Sequence, residues 1–66
     1  MKICINDKQT NFPFNTSVQE VVERYKDELS VFAVMLNHQL LPRALYERTI
    51  LQEHDQLDFI MPMQGG

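Results

Sequence analysis

One long stretch of this chain has helical periodicity, and it decides what the rest must do. From Ser17 onward, Val18, Val21, Val22, Tyr25 and Leu29 recur at helical spacing and form one apolar stripe, while Gln19, Glu20, Glu23, Arg24, Lys26 and Asp27 populate the other side. Ser17 can cap the helix, and Glu20 stands three residues later, the spacing of a capping box. The valines of the stripe are mediocre helix formers, so packing must hold this helix in place. Sixty-six residues make one domain and supply no second long helix. The stripe therefore has to be buried against a sheet.

The remaining apolar residues provide that sheet. Met1 to Ile5 alternates, with Ile3 and Ile5 on one face and Lys2 and Cys4 on the other. Asn6-Asp7-Lys8 is turn chemistry, and Thr10 to Phe14 returns as a second strand with Phe12 and Phe14 on one face. Pro13 lacks a donor N–H, so this strand belongs at an edge or ends early. Val31 to Leu36 is a continuous apolar run suited to an interior strand, Asn37-His38 a turn, and Leu40-Leu41-Pro42 a short edge strand. Ala44 to Arg48 reads as a helical turn and Gln52 to Asp55 as a polar turn. Leu57, Phe59 and Met61 alternate as a final strand. This order predicts an α+β fold of the β-grasp type: a mixed sheet of four to five strands, the first and last paired in parallel at its centre, with one helix packed across one face. Residues 1–61 would be the β-grasp domain and 62–66 a flexible C-terminal tail.

Composition removes several function classes. The formal net charge is −3 and the six basic residues are scattered, which argues against nucleic acid as a partner. The apolar run from Val31 to Leu36 is far too short to cross a bilayer. Cys4 is the only cysteine, so no intrachain disulfide forms, and the N-terminus has no charged-then-apolar signal pattern; a cytoplasmic protein is expected. His38 and His54 lack metal-ligand spacing, no phosphate-binding glycine loop exists, and Cys4 has no His or Asn motif beside it. The chain is thus expected to bind no cofactor or metal of its own and not to be an enzyme.

The functional signal lies at the end of the sequence. The only two glycines are its last two residues, Gly65 and Gly66, an arrangement that chance produces in roughly one chain in 200. Two readings fit the dipeptide alone: a frayed or appended end, and an arm built to react. The chemistry of the second is specific. A C-terminal carboxylate can be activated only if it reaches the α-phosphate of ATP inside another protein's active site. Glycine has no Cβ, so such residues enter a narrow channel with their backbone close to its walls. The Gly66 carboxylate is ionised at neutral pH and ready as a nucleophile. From Pro62 to Gly66 the extended arm reaches about 16 Å, and Pro62, unable to donate to a ladder, helps release it from the last strand.

With these residues in place, the chain resembles the ThiS family of sulfur carriers of thiamin thiazole synthesis, which are ubiquitin-like. The likeness runs through Met1-Lys2-Ile3 with Asn6-Asp7, Thr16-Ser17-Val18-Gln19-Glu20-Val21-Val22, and Val34-Met35-Leu36-Asn37-His38-Gln39. It continues through Leu41-Pro42-Arg43, Ile50, Asp55-Gln56-Leu57 and Gly65-Gly66. The resemblance implies that an E1-like (ThiF-like) adenylyltransferase adenylates Gly66 with its own ATP and Mg²⁺. A persulfide donor then replaces AMP to leave a thiocarboxylate, and a ThiG-like thiazole synthase takes the sulfur. Related carriers serving molybdopterin, cysteine or methionine synthesis share the fold and the glycine end, and a ubiquitin-like protein modifier would share the activation step. The family usually has glycine where this chain has His54, which implies strain or a different turn there. The tail Pro62-Met63-Gln64 is unusual for the family and bears on which pathway is served.

The alternation also sends Cys4, Met35 and Ile60 to the face away from the helix, where they would form an apolar patch. That patch, with Pro62, Met63 and Gln64 of the tail, is the expected contact surface for the activating enzyme. The carrier itself is expected to be a monomer.

Overall fold

The computed structural model describes residues 1–25 and 33–61. Leu29, Val31, Phe32 and the segment 62–66 lie outside the described residues. In chain order the elements are β1 (Lys2–Ile5), β2 (Lys8–Asn11), α1 (Val18–Tyr25), β3 (Ala33–Leu36), β4 (Gln39–Leu41), a 3₁₀ turn (Arg43–Leu45) and β5 (Gln56–Ile60). The five strands form one mixed sheet in the order β2-β1-β5-β3-β4. β1 and β5 pair in parallel at its centre, and the remaining pairs are antiparallel.

Strand alternation puts the expected side chains beneath the helix. Ile3, Val34 and Leu57, one from each of the three inner strands, are fully buried, as are Val18 and Val21 of α1. Ile5 and Phe59 join them, while Val22, Tyr25, Leu36 and Leu41 pack around the margin. The Tyr25 and Phe59 rings meet with centroids 5.7 Å apart. The Arg24 guanidinium lies 5.6 Å from the centre of the buried Phe12 ring, covering it with a cation.

The start of α1 is held from outside the helix. A helix leaves its first N–H groups without intrahelical acceptors. Here Val18 N donates to Thr49 O at 2.9 Å and Gln19 N to Tyr46 O at 3.1 Å. Glu20 N donates to Ser17 Oγ at 3.1 Å, the capping bond expected from the sequence. The segment between β4 and β5 thus serves as the helix's second cap. The same segment puts Tyr46 and Leu51 into the core, two buried residues that the sequence patterns did not single out.

Several strand limits differ from expectation: β2 already starts at Lys8, β4 is Gln39–Leu41 instead of Leu40–Pro42, and two strands end early. β2 stops at Asn11, and Phe14 is 73% exposed instead of sharing a face with Phe12. Phe12 N still donates to Met1 O, but Pro13 has no N–H to continue the ladder. Asn15 then takes a left-handed conformation (φ 69°), and Thr16 Oγ1 donates back to Pro13 O at 2.7 Å, which turns Phe14 outward. At the other end, β5 finishes at Ile60, and Met61 lies beyond it, exposed.

Among the described residues, six non-glycine positions have positive φ: Asn6, Asp7, Asn15, Asn37, His38 and His54. All are Asn, Asp or His, the side-chain types that tolerate this region best. His54 takes a left-handed conformation (φ 71°), the strain expected of this turn. Its N–H donates to Lys2 O at 2.8 Å, a backbone bond that glycine would preserve. The turn is further pinned by Gln52 N donating to Asp55 Oδ2 at 2.8 Å and by Lys2 N donating to the Glu53 carboxylate. His54→Gly is therefore expected to stabilise the protein by about 0.5 kcal/mol and to raise its thermal midpoint by a few degrees. A calorimetric scan checks this; a lower midpoint would show that the His54 side chain contributes more than its backbone costs.

Candidate functional site

The sheet face opposite α1 is read directly from the registers. Met35 of β3 stands opposite Asp58 of β5 on one side and Leu40 of β4 on the other. Ala33 is opposite Ile60. Leu40, Met35, Ala33 and Ile60 thus form a continuous apolar stripe across three strands. Leu40 is 65% exposed and Ile60 39%, while Met35 and Ala33 are half-buried. Met61, 42% exposed, extends the sequence from this corner toward residues 62–66.

Of the three patch residues expected from the sequence, the structure brings Met35 and Ile60 together and leaves Cys4 apart. Cys4 is half-buried on the same face, but it sits across β5, opposite Gln56 and, on its other side, Gln9. Gln56 and Asp58 lie between it and Met35, and Gln56 Nε2 donates to Asp58 Oδ2 at 3.1 Å. A polar strip therefore divides the thiol from the stripe. Leu40 belongs to the stripe and was not foreseen. Its signal was present in Leu40-Leu41, where one of two adjacent leucines in a strand has to face away from the core. Pro62, Met63, Gln64, Gly65 and Gly66 lie outside the described residues.

The last strand is the element that connects this face to the glycines. β5 occupies the middle of the sheet, hydrogen-bonded on one side to β1 and on the other to β3. A central strand is the most firmly held element of such a sheet, so whatever follows it leaves from a fixed point. No group of three His, Cys, Asp or Glu side chains is placed to hold a metal among the described residues. Nor is any described helix long and apolar enough to cross a membrane.

A sheet ordered β2-β1-β5-β3-β4, one helix across one face, and a central last strand running on in sequence to two glycines define a ubiquitin-like β-grasp protein. The ThiS family model matches residues 2–66, and the chain belongs to that family. Membership places it among sulfur carriers, not enzymes. The chain is 27% identical to the sulfur carrier protein ThiS of Escherichia coli K12 over 66 residues, all of both chains. It is also similar to the thiamine biosynthesis protein ThiS of Geobacter metallireducens. The crystal structure of that protein superposes with a TM-score of 0.81 at 25% identity, covering 100% of both chains. Its solution structure gives 0.73 at 25% identity, covering 100% of this chain and 88% of that one.

Proposed function

We propose that this chain carries sulfur on its C-terminus for thiamin thiazole synthesis. The observation that supports this most is the placement of glycine. The fold needs left-handed residues at six described positions and fills every one without glycine, yet the sequence ends in two. None of the described left-handed turns takes a glycine, and the family match extends through the two at the end.

In this reading an E1-like adenylyltransferase, which holds the ATP and Mg²⁺, receives the tail. A Gly66 carboxylate oxygen attacks the α-phosphorus of ATP, and pyrophosphate leaves. The terminal sulfur of a persulfide then attacks the acyl carbon of the adenylate, and AMP leaves. A second thiol reduces the resulting acyl disulfide and releases the thiocarboxylate. A thiazole synthase consumes that sulfur, and the carboxylate returns to the cycle. The body docks through Leu40, Met35 and Ile60, while Pro62, Met63, Gln64 and Gly65 line the arm inside the partner's channel. Cys4 is at the flank of that contact. The protein works as a monomer in the cytoplasm and holds no cofactor.

Tandem mass spectrometry of the protein from its native host tests this. Intact mass is a poor probe, because sulfur in place of oxygen adds nearly the mass of one methionine oxidation, and the chain has four methionines. The fragment Gln64-Gly65-Gly66 contains neither methionine nor cysteine. The expected result is sulfur on that fragment. A fragment that stays unmodified after incubation with ATP, the activating enzyme and a persulfide donor would overturn the proposal.

A further inference from the structure

The two hairpin turns of the sheet are built alike. Each begins with an asparagine in the left-handed region, Asn6 (φ 48°) after β1 and Asn37 (φ 51°) after β3. Both hairpins lead away from β5, yet both asparagines hydrogen-bond to it. Asn37 holds the beginning of that strand: its N–H donates to Gln56 O at 2.8 Å, its Oδ1 accepts from Gln56 N at 2.9 Å, and its Nδ2 donates to Asp55 Oδ1 at 3.1 Å.

Asn6 holds the other end. In the parallel ladder of β1 and β5, Cys4 N donates to Asp55 O and Asn6 N donates to Leu57 O at 3.1 Å. Evenly spaced parallel bonding would next have Phe59 N donate to the main-chain carbonyl of Asn6. Asn6 is instead in the left-handed region (φ 48°), not the extended conformation that would aim that carbonyl at Phe59. The Asn6 side chain replaces it, and Phe59 N donates to Asn6 Oδ1 at 2.8 Å, a contact between residues 53 apart in sequence. This side-chain bond extends the β1 side of the ladder beyond the point where β1 itself has turned off. One residue further, Ile60 still pairs with Ala33 on the β3 side, and β5 ends there.

We infer that Asn6 is a positioning residue for the reactive C-terminus. By holding Phe59 on the β1 side while β3 holds Ile60, it fixes the place and direction in which the chain leaves the sheet, six residues before Gly66. An asparagine suits both tasks, since it tolerates positive φ and offers a short, correctly placed oxygen. The inference rests on the carrier reading above. A tail with a loosened origin still docks with the body, but it presents its carboxylate to the α-phosphate in the correct pose less often. The consequence belongs in kcat, not in KM.

Two substitutions separate the oxygen from the backbone. Asn6→Gly keeps the left-handed turn at no steric cost and removes the acceptor. Asn6→Asp keeps an oxygen at that place. Hydrogen exchange at the Phe59 amide reads the bond directly, with the Cys4 amide of the same ladder as reference. Adenylation kinetics with the activating enzyme, followed as pyrophosphate release, read the role. In Asn6→Gly we expect Phe59 to exchange about tenfold faster with Cys4 unchanged, and kcat to fall about tenfold at unchanged KM. Asn6→Asp restores both. Unchanged Phe59 exchange in Asn6→Gly overturns the clamp, and faster exchange with unaltered kcat overturns its positioning role. If the unsubstituted chain is not adenylated at all, the carrier reading fails and takes the positioning role with it, while the exchange data still decide whether the clamp exists.

Discussion

A single alanine appended after Gly66 is expected to reduce adenylation at least about 100-fold, with no change in the fold. The added residue moves the carboxylate by up to about 3.5 Å and leaves a neutral amide where the nucleophile stood. In-line attack requires the carboxylate oxygen and the α-phosphorus to sit about 3–3.5 Å apart, so a shift of one residue is as large as the reacting distance itself. The body cannot slide back to compensate if it is seated on the enzyme, because β5 is bonded to both neighbours and its end is fixed. In the proposed function the appended methyl group would also meet channel walls that admit only residues without a Cβ. Pyrophosphate release measures the reaction, and an unchanged amide spectrum for residues 1–61 checks the body. Adenylation at the unextended rate would show that the C-terminal carboxylate is not the reacting group and would leave this chain as an interaction domain.

The parts of this protein that were legible in its sequence are those governed by short-range periodicity. Ile3 and Ile5, or Leu57 and Phe59, reveal their faces by alternation, and Ser17 with Glu20 marks the helix start three residues apart. What escaped depends on turn chemistry that overrides alternation, or on partners distant in the chain. Phe14 continues the alternation of Phe12, but the Pro13, Asn15 and Thr16 turn overrides it. Met61 alternates with Phe59, yet β5 ends at Ile60, one residue short of it. Tyr46 and Leu51 are drawn inward because their segment caps α1 through Tyr46 O and Thr49 O. The apolar stripe was half legible: facing directions follow from alternation, but which outward residues adjoin depends on register and strand order. Those put Asp58 beside Met35 and Cys4 across β5.

That register decides how the stripe should be tested. Met35→Lys is expected to weaken docking on the activating enzyme about 30-fold, the equivalent of roughly 2 kcal/mol for a central contact residue. Met35 is the centre of the stripe, with Leu40 opposite it in β4 and Ile60 diagonal to it in β5. A lysine there sets an ammonium group among side chains that an apolar partner surface has to desolvate. Aspartate would be the poorer choice. It would face Asp58 directly across the β3–β5 pair, and like charges in opposed positions destabilise a sheet. Lysine meets Asp58 as an opposite charge, so the free protein keeps its fold and the loss is confined to binding. Gln9→Lys is the matched control: it adds the same charge to the same face, on β2 and on the far side of Cys4 from the stripe. Titration calorimetry with the activating enzyme distinguishes the cases. A loss for Met35→Lys with little change for Gln9→Lys assigns docking to the apolar stripe. Equal losses would mean that the enzyme senses the carrier's net charge of −3 rather than this surface. No loss for either would move the docking surface off this face and leave the tail as the main contact.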